Sequence, residues 1–346
     1  MNQRFRTAAV MLLAVLGLGV QVSAEAAETK KHPVAHKAHA KAAPAAHHKA
    51  AAAKPAGKHR LAAAAEKPKR VAKLAAKPAP KAVRHVAMID DPRRLALLSA
   101  SALVVDQNNG QALIEKQADT VVPIASISKL MTAMVVLDAK LDMQEVISIG
   151  DADVDYLKGT RSRLPVGATM TRETAMLLAL MSSENRAAHA LGRHYPGGLP
   201  AFVQAMNRKA QALGMANSRF EEPTGLSSNN VSTAHDLARM VAAAARYPDI
   251  RRFSTTAEAQ VELKGRIQGF HNTNALVRSD NWEIGVSKTG YISEAGRCLV
   301  MQARVADKPV VIVLLDSNGK MTRVGDAQRI KRWMESASLA QDRRPV

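Results

Sequence analysis

Residues 123–138 read PIASISKLMTAMVVLD, and a change of period inside this stretch decides the architecture. Ahead of it the chain is extended. Ala102-Leu103-Val104-Val105 and Ala112-Leu113-Ile114-Glu115 are short β runs around Asn108-Asn109-Gly110, and Asn-Gly tolerates the positive φ that a tight hairpin turn requires. Pro123 closes the extended region. From Ser126 onward, Ile127, Leu130, Met131, Met134, Val135 and Leu137 recur at three- and four-residue spacing, which predicts a helix. Ser126 opens that helix and Lys129 stands one turn later on the same face. A hydroxyl and an amine so placed suit a nucleophile and its base.

Working outward, residues 140–250 read as helices with loops: Met170 to Met181, Phe202 to Leu213 and Ala234 to Ala245, punctuated at Tyr195 to Pro200 and Pro223 to Asn230. Strands return with Trp282 to Ser287 leading into Lys288. Cys298 to Val305, the turn Ala306-Asp307-Lys308 and Pro309 to Leu315 then make a hairpin. Arg323 to Ser338 reads as a closing helix. Strands from both chain ends flanking a helical middle predict an α+β fold, one antiparallel sheet with helices on its faces.

Two further strings complete the site chemistry. Ser183-Glu184-Asn185 falls between the apolar helical runs Glu173 to Met181 and Ala187 to Leu191, so it sits on a short rigid turn. Lys288-Thr289-Gly290 ends the strand run. S-x-x-K and S-x-N are common by composition, and Ser227-Ser228-Asn229, Ser228-Asn229-Asn230 and Ser279-Asp280-Asn281 also match S-x-N. Ser279 opens the strand carrying Lys288, so nine residues at ~3.3 Å place it about 30 Å from that lysine. Ser183 and Asn185 are therefore the site pair, and Ser279 to Asn281 is hairpin-turn polarity.

The roles follow from side-chain chemistry. Ser126 is the nucleophile, its own N–H and the helix dipole facing a developing oxyanion. Lys129 is a base only when neutral. Burial and a second cation, Lys288, would both lower its pKa. Ser183 relays a proton toward the leaving nitrogen, and the Asn185 carboxamide holds a substrate amide. Lys288 and Thr289 bind the carboxylate or carbonyl end of the substrate. Gly290 admits the substrate backbone against the strand edge. Such a site needs no metal or organic cofactor.

With these three strings in order, the chain resembles the serine penicillin-recognising enzymes, the β-lactamase/transpeptidase-like fold shared by β-lactamases and DD-peptidases. The closer likeness is to low-molecular-mass penicillin-binding proteins of the endopeptidase type. It spans residues 95–320 and rests on PIASISKLMTAM (123–134), GTRSRL (159–164), SENRAAHALGR (183–193), EPTGL (222–226), GFHNTN (269–274) and SKTGYISEAGRCLVM (287–301). The resemblance implies hydrolysis of D-alanyl cross-links in peptidoglycan through a serine acyl-enzyme. Peptidoglycan peptides would be the substrates and β-lactams covalent inhibitors. It also implies the Tyr291 backbone N–H as second oxyanion donor and adds Arg297 for carboxylate recognition. GTRSRL and SENRAAHALGR point to the cross-link-cleaving group. The 56 residues after Gly290 leave no room for the additional β domain and anchoring helix of many carboxypeptidases. The alternatives are a DD-carboxypeptidase, then a class A β-lactamase using Glu222, or a wall-binding penicillin sensor that does not turn over.

Charge and composition set the compartment. Arg4 and Arg6, the thirteen apolar residues Ala8 to Val20 and Val22-Ser23-Ala24 read as a signal peptide cleaved near Ala24. That run is too short to span ~30 Å of bilayer comfortably. Residues 1–24 are thus a signal peptide, 25–88 a disordered basic tail and 89–346 the enzyme domain, and the location is periplasmic. The net charge of +19 is concentrated in the tail, where residues 29–85 hold fifteen Lys and Arg against Glu66 alone. A Lys/Ala/His/Pro tail buries too little apolar surface to order. An exported tail of this kind suits an anionic wall or membrane surface or serves as a spacer, and no nucleic-acid partner is expected. Cys298 is the single cysteine, which excludes an internal disulfide, and it reads as a buried structural thiol. His189, His194, His235 and His271 are scattered singly and read as structural.

Overall fold

The computed structural model describes residues 95–342, with side chains through residue 339. The signal-peptide and tail readings lie outside the described residues. β1 (Ser99–Asp106) and β2 (Ala112–Lys116) form the expected hairpin, with Gly110 of its turn at φ +74°. β3 (Val122–Pro123) then leads through a 3₁₀ turn, Ala125–Ile127, into α1 (Ser128–Asp138). The helix therefore begins two residues later than Ser126, which sits in the turn ahead of it.

The central section contains more β structure than its periodicity suggests. β4 (Val146–Ser148) pairs with β5 (Thr169–Thr171), so the expected helix from Met170 begins only at Arg172. α2 (Arg172–Met181) starts where the Thr171 side chain accepts from the Thr174 N–H, a cap that satisfies a free helical donor. α3 (Asn185–Arg193), α4 (Gly198–Ala212), β6 (Val231–Ser232), α5 (Ala234–Ala244) and α6 (Pro248–Thr255) follow. The two-stranded β7 (Glu258–Leu263) and β8 (Arg266–His271) come next. Neither was legible in the sequence: the β4–β5 strands are only three residues long each, and the β7–β8 hairpin is mostly exposed, so neither carries a long apolar alternation.

β9 (Glu283–Ile292), β10 (Gly296–Val305), β11 (Lys308–Ser317) and α7 (Thr322–Asp342) close the chain. The main sheet is antiparallel in the order β2-β1-β11-β10-β9, so the two chain ends do build one sheet. Alternate residues of each strand enter different cores, as the period of two dictates. Leu103, Val300, Val311, Val313 and Leu315 face the helical layer. Ala102, Val104, Leu299, Met301, Ile312 and Leu314 face Ile330 and Met334 of α7. Burial on both faces explains why β11 reads as an unbroken apolar run. α1 is buried along its whole first two turns, Ser128 to Val136. A helix apolar on every side has no solvent face, so Lys129 is carried into the interior.

Two features aim this frame at the site. β9 is an edge strand, and its Gly290 lies against Ile124, Ala125 and Ser126, the turn just ahead of α1. β3 pairs with β6, Val122 to Ser232 and Pro123 to Val231, tying the approach to Ser126 onto the loop 222–230.

Candidate active site

The nucleophile loop is braced from behind. The Ser128 Oγ donates to the Ala125 carbonyl at 2.9 Å and accepts from the Asn230 Nδ2 at 3.0 Å. Thr132 Oγ1 donates to the Pro223 carbonyl at 2.7 Å. Glu222 is committed to its own loop: its carboxylate accepts the N–H groups of Thr224, Gly225 and Ser227. It shapes the loop behind Lys129, the opposite of what a deacylating base requires.

Lys129 is fully buried. Its Nζ lies 2.9 Å from the Ser126 Oγ, 2.7 Å from the Asn185 Oδ1 and 2.6 Å from the Thr224 carbonyl. Burial lowers its pKa to about 7, against the opposing pull of the Glu222 and Glu184 carboxylates. The sequence argument named both burial and Lys288 as causes; of the two, burial is the one that lowers this lysine. The cation effect acts on Lys288, pushed well below the ordinary lysine range by burial, then by Lys129 and Arg323.

Lys288 Nζ donates to the Ser183 Oγ at 2.9 Å. Ser183 holds φ +61° and Ala125, beside the nucleophile, φ +49°. Left-handed backbone at non-glycine residues is disfavoured and persists only where the surroundings enforce it. Asn185, the first residue of α3, accepts from Lys129 and donates from Nδ2 to Thr160 Oγ1 at 3.1 Å. Thr289 Oγ1 donates to Thr273 Oγ1 at 2.6 Å.

These residues line one open cleft of about 260 Å³ that holds Ser126, Ser183, Asn185, Thr289, Gly290 and Tyr291 together with Thr273 and Arg323. Eight of the nine sequence-derived site residues thus converge on one place, Lys129 and Lys288 lying beneath its floor. Arg297 does not line the cleft: its guanidinium stacks 4.4 Å over the Tyr291 ring. The cation in the cleft is Arg323, at the start of α7, whose Nη1 donates to the carbonyls of Gly290 at 2.9 Å and Cys298 at 3.1 Å. No local pattern around Arg323 marks it. Thr273 lay inside GFHNTN without an assigned role.

Ser279-Asp280-Asn281 stands elsewhere. It follows a 3₁₀ turn, Ala275–Arg278, and precedes β9 rather than opening it. It lines a separate cavity with Trp282, Arg304 and Lys331. Its polarity belongs to the turn entering β9, not to a hairpin. Cys298 is buried, and burial pushes its thiol up to about 11. His189 does bond an acid, its Nδ1 lying 2.7 Å from Asp153 Oδ1.

This arrangement supplies an activated serine, a buried lysine, a serine–lysine relay and a cationic wall, the parts list of serine acyl transfer. Comparison with known proteins agrees. A family model described as peptidase S11, D-alanyl-D-alanine carboxypeptidase, matches residues 88–319. A D-alanyl-D-alanine endopeptidase of Pseudomonas aeruginosa is 50% identical over 250 residues, covering 72% of this chain and 81% of that protein. A D-alanyl-D-alanine endopeptidase of Escherichia coli is 46% identical over 268 residues, covering 77% and 86%. The crystal structure of the Streptomyces K15 DD-transpeptidase superposes with a TM-score of 0.64 at 28% identity, covering 70% of this chain and 98% of that one. On the family match and these identities, the chain belongs to the peptidase S11 family of serine D-alanyl-D-alanine peptidases.

Proposed function

We propose that this serine D-alanyl-D-alanine peptidase acts as a peptidoglycan endopeptidase, opening D-alanyl cross-links. The observation that carries the chemistry is the 2.9 Å contact between Lys129 Nζ and Ser126 Oγ, with the lysine buried and its pKa near 7. Neutral Lys129 takes the Ser126 proton as the oxygen attacks the D-alanyl carbonyl. The Ser126 and Tyr291 N–H groups receive the oxyanion. The proton taken up by Lys129 is relayed through Ser183, itself bonded to Lys288, to the departing amine, so Lys129 is neutral again when the acyl-enzyme forms. Water then enters, Lys129 accepts its proton as the hydroxyl adds to the ester carbonyl, and the same proton returns to the Ser126 oxygen as the ester breaks. Lys288, Thr289 and Arg323 hold the carboxylate of the leaving residue, while Asn185 holds an amide on the acyl side. β-Lactams acylate the same Ser126.

The endopeptidase assignment rests on the two relatives of that description at 50% and 46% identity. The leader and the basic segment support a periplasmic enzyme whose tail meets an anionic wall or membrane surface. Purified enzyme given cross-linked dimeric muropeptides and monomeric pentapeptides decides the substrate. Faster conversion of dimers to monomers is expected. Release of D-alanine from pentapeptides with dimers untouched would assign carboxypeptidase activity instead.

A further inference from the structure

GTRSRL and SENRAAHALGR, distant in sequence, are one bonded unit in space. Glu184 is buried at 5% exposure. One carboxylate oxygen accepts from Ser162 Oγ at 2.6 Å and the other from Arg163 Nε at 2.8 Å. The Arg163 guanidinium lies 4.5 Å from the centre of the Phe270 ring, so β8 clamps it in place. Glu184 does not itself line the reaction cleft, yet its two chain neighbours, Ser183 and Asn185, both do. Its N–H donates to the Leu178 carbonyl at 3.1 Å and its carbonyl accepts the Ala188 N–H at 3.2 Å. Glu184 therefore ties the end of α2 to the start of α3 across the left-handed Ser183.

A turn alone does not call for a buried carboxylate at its centre. Burying such a group is unfavourable unless cations and donors meet it, and here both do. Resting on the serine acyl-transfer reading above, we propose that the Ser162–Arg163–Glu184 clasp is a positioning device for this site. It holds Ser183 in its left-handed turn against Lys288, and it sets the net charge that Lys129 faces from the α2–α3 turn.

The charged groups facing Lys129 are Glu184 from that turn and Glu222 from the loop before β6, with Lys288 opposite on β9 and Arg323 behind Lys288. Glu184 favours protonated Lys129, and Arg163 offsets part of that pull. The two partners consequently work in opposite directions. Glu184→Gln removes the carboxylate and makes the lysine easier to deprotonate. Arg163→Gln leaves Glu184 with Lys129 as its facing cation and makes the lysine harder to deprotonate.

The test is the rate of penicillin acylation of Ser126 against pH, followed by intact-protein mass spectrometry on the full chain. The acid limb is expected to move to lower pH in Glu184→Gln and to higher pH in Arg163→Gln. Both should also lose roughly tenfold to a hundredfold in plateau rate through the displaced Ser183. Limbs that stay put, or move the same way in both folded variants, overturn the proposal. Should both fail to fold, Arg163→Lys carries the test, because it keeps the cation and loses the Nε bond and the flat stacking on Phe270. It is expected to acylate more slowly with the limb unmoved, and a wild-type rate rejects the clasp. No adduct on the wild-type protein would reject the acyl-transfer reading itself, a separate outcome.

Discussion

Gly225 lies so close to Ala125 that a Cβ built on it would fall 1.9 Å from the Ala125 carbonyl oxygen and 2.7 Å from the Ser126 N–H nitrogen. Its φ of +83° independently excludes most side chains. The glycine of EPTGL is thus the floor on which the nucleophile turn rests. Gly225→Ala is expected to displace Ser126 and slow penicillin acylation by about 100-fold or more. Mass spectrometry of the adduct, with circular dichroism to verify folding, checks it. A folded variant acylating at the wild-type rate would remove the loop from the nucleophile's support.

The pH dependence of acylation follows from Lys129. A base works only when neutral, and its pKa is lowered by burial to about 7. The rate should therefore fall as pH drops through about 7 and level off above it. Lys129→Ala is expected to lose ~10²–10⁴ in rate. A pH-independent rate between 5 and 9 in the wild type would place the base elsewhere.

Arg323 and Arg297 should separate cleanly. Arg323→Gln is expected to raise KM for D-alanyl peptides about tenfold or more, since a charge-assisted bond contributes roughly 1.5–3 kcal/mol. Arg297→Gln, which loses only its stacking on Tyr291, should change KM less than threefold, on the order of 0.5 kcal/mol. Steady-state kinetics on a soluble cross-linked peptide measures both, and equal effects would contradict the cleft geometry.

Asp153 joins α3 to the 3₁₀ turn Asp151–Asp153 that follows β4, bonding His189 Nδ1 at 2.7 Å, Arg193 Nη2 at 2.8 Å and the Gly150 N–H at 2.7 Å. Burial alone would raise its pKa, but these hydrogen bonds hold it down to about 2. A depressed carboxylate stabilises the fold above the unfolded value of about 4, and that contribution disappears as pH falls toward 2. Asp153→Asn is expected to cost about 3 kcal/mol at neutral pH. In urea titrations the gap between variant and wild type should close between pH 4 and 2. A gap that persists at pH 2 would show that the charge is not its source.

The three ordered strings were readable because each is local. Ser126 and Lys129 are three residues apart across the junction of a 3₁₀ turn and α1, Ser183 and Asn185 flank Glu184 where α2 gives way to α3, and Lys288, Thr289 and Gly290 share one strand, so spacing alone places each set together. The two-faced sheet was equally legible, because a strand buried on both sides, such as β11, must be apolar throughout. By itself, then, the sequence determined most of the residues that meet at the cleft and the layered α+β architecture. Tertiary structure decided what depends on packing between distant segments. It chose Arg323 over Arg297 as the cation in the cleft, made Glu222 a loop brace and Gly225 a floor, and joined Arg163 to Glu184. It also made burial, more than a neighbouring charge, the reason the Lys129 pKa is lowered. Each of these turns on atoms brought within a few ångströms across tens of residues or more, except Glu222, which folds back on its own loop. Desolvation in particular belongs to the whole surrounding volume, which no run of adjacent residues encodes.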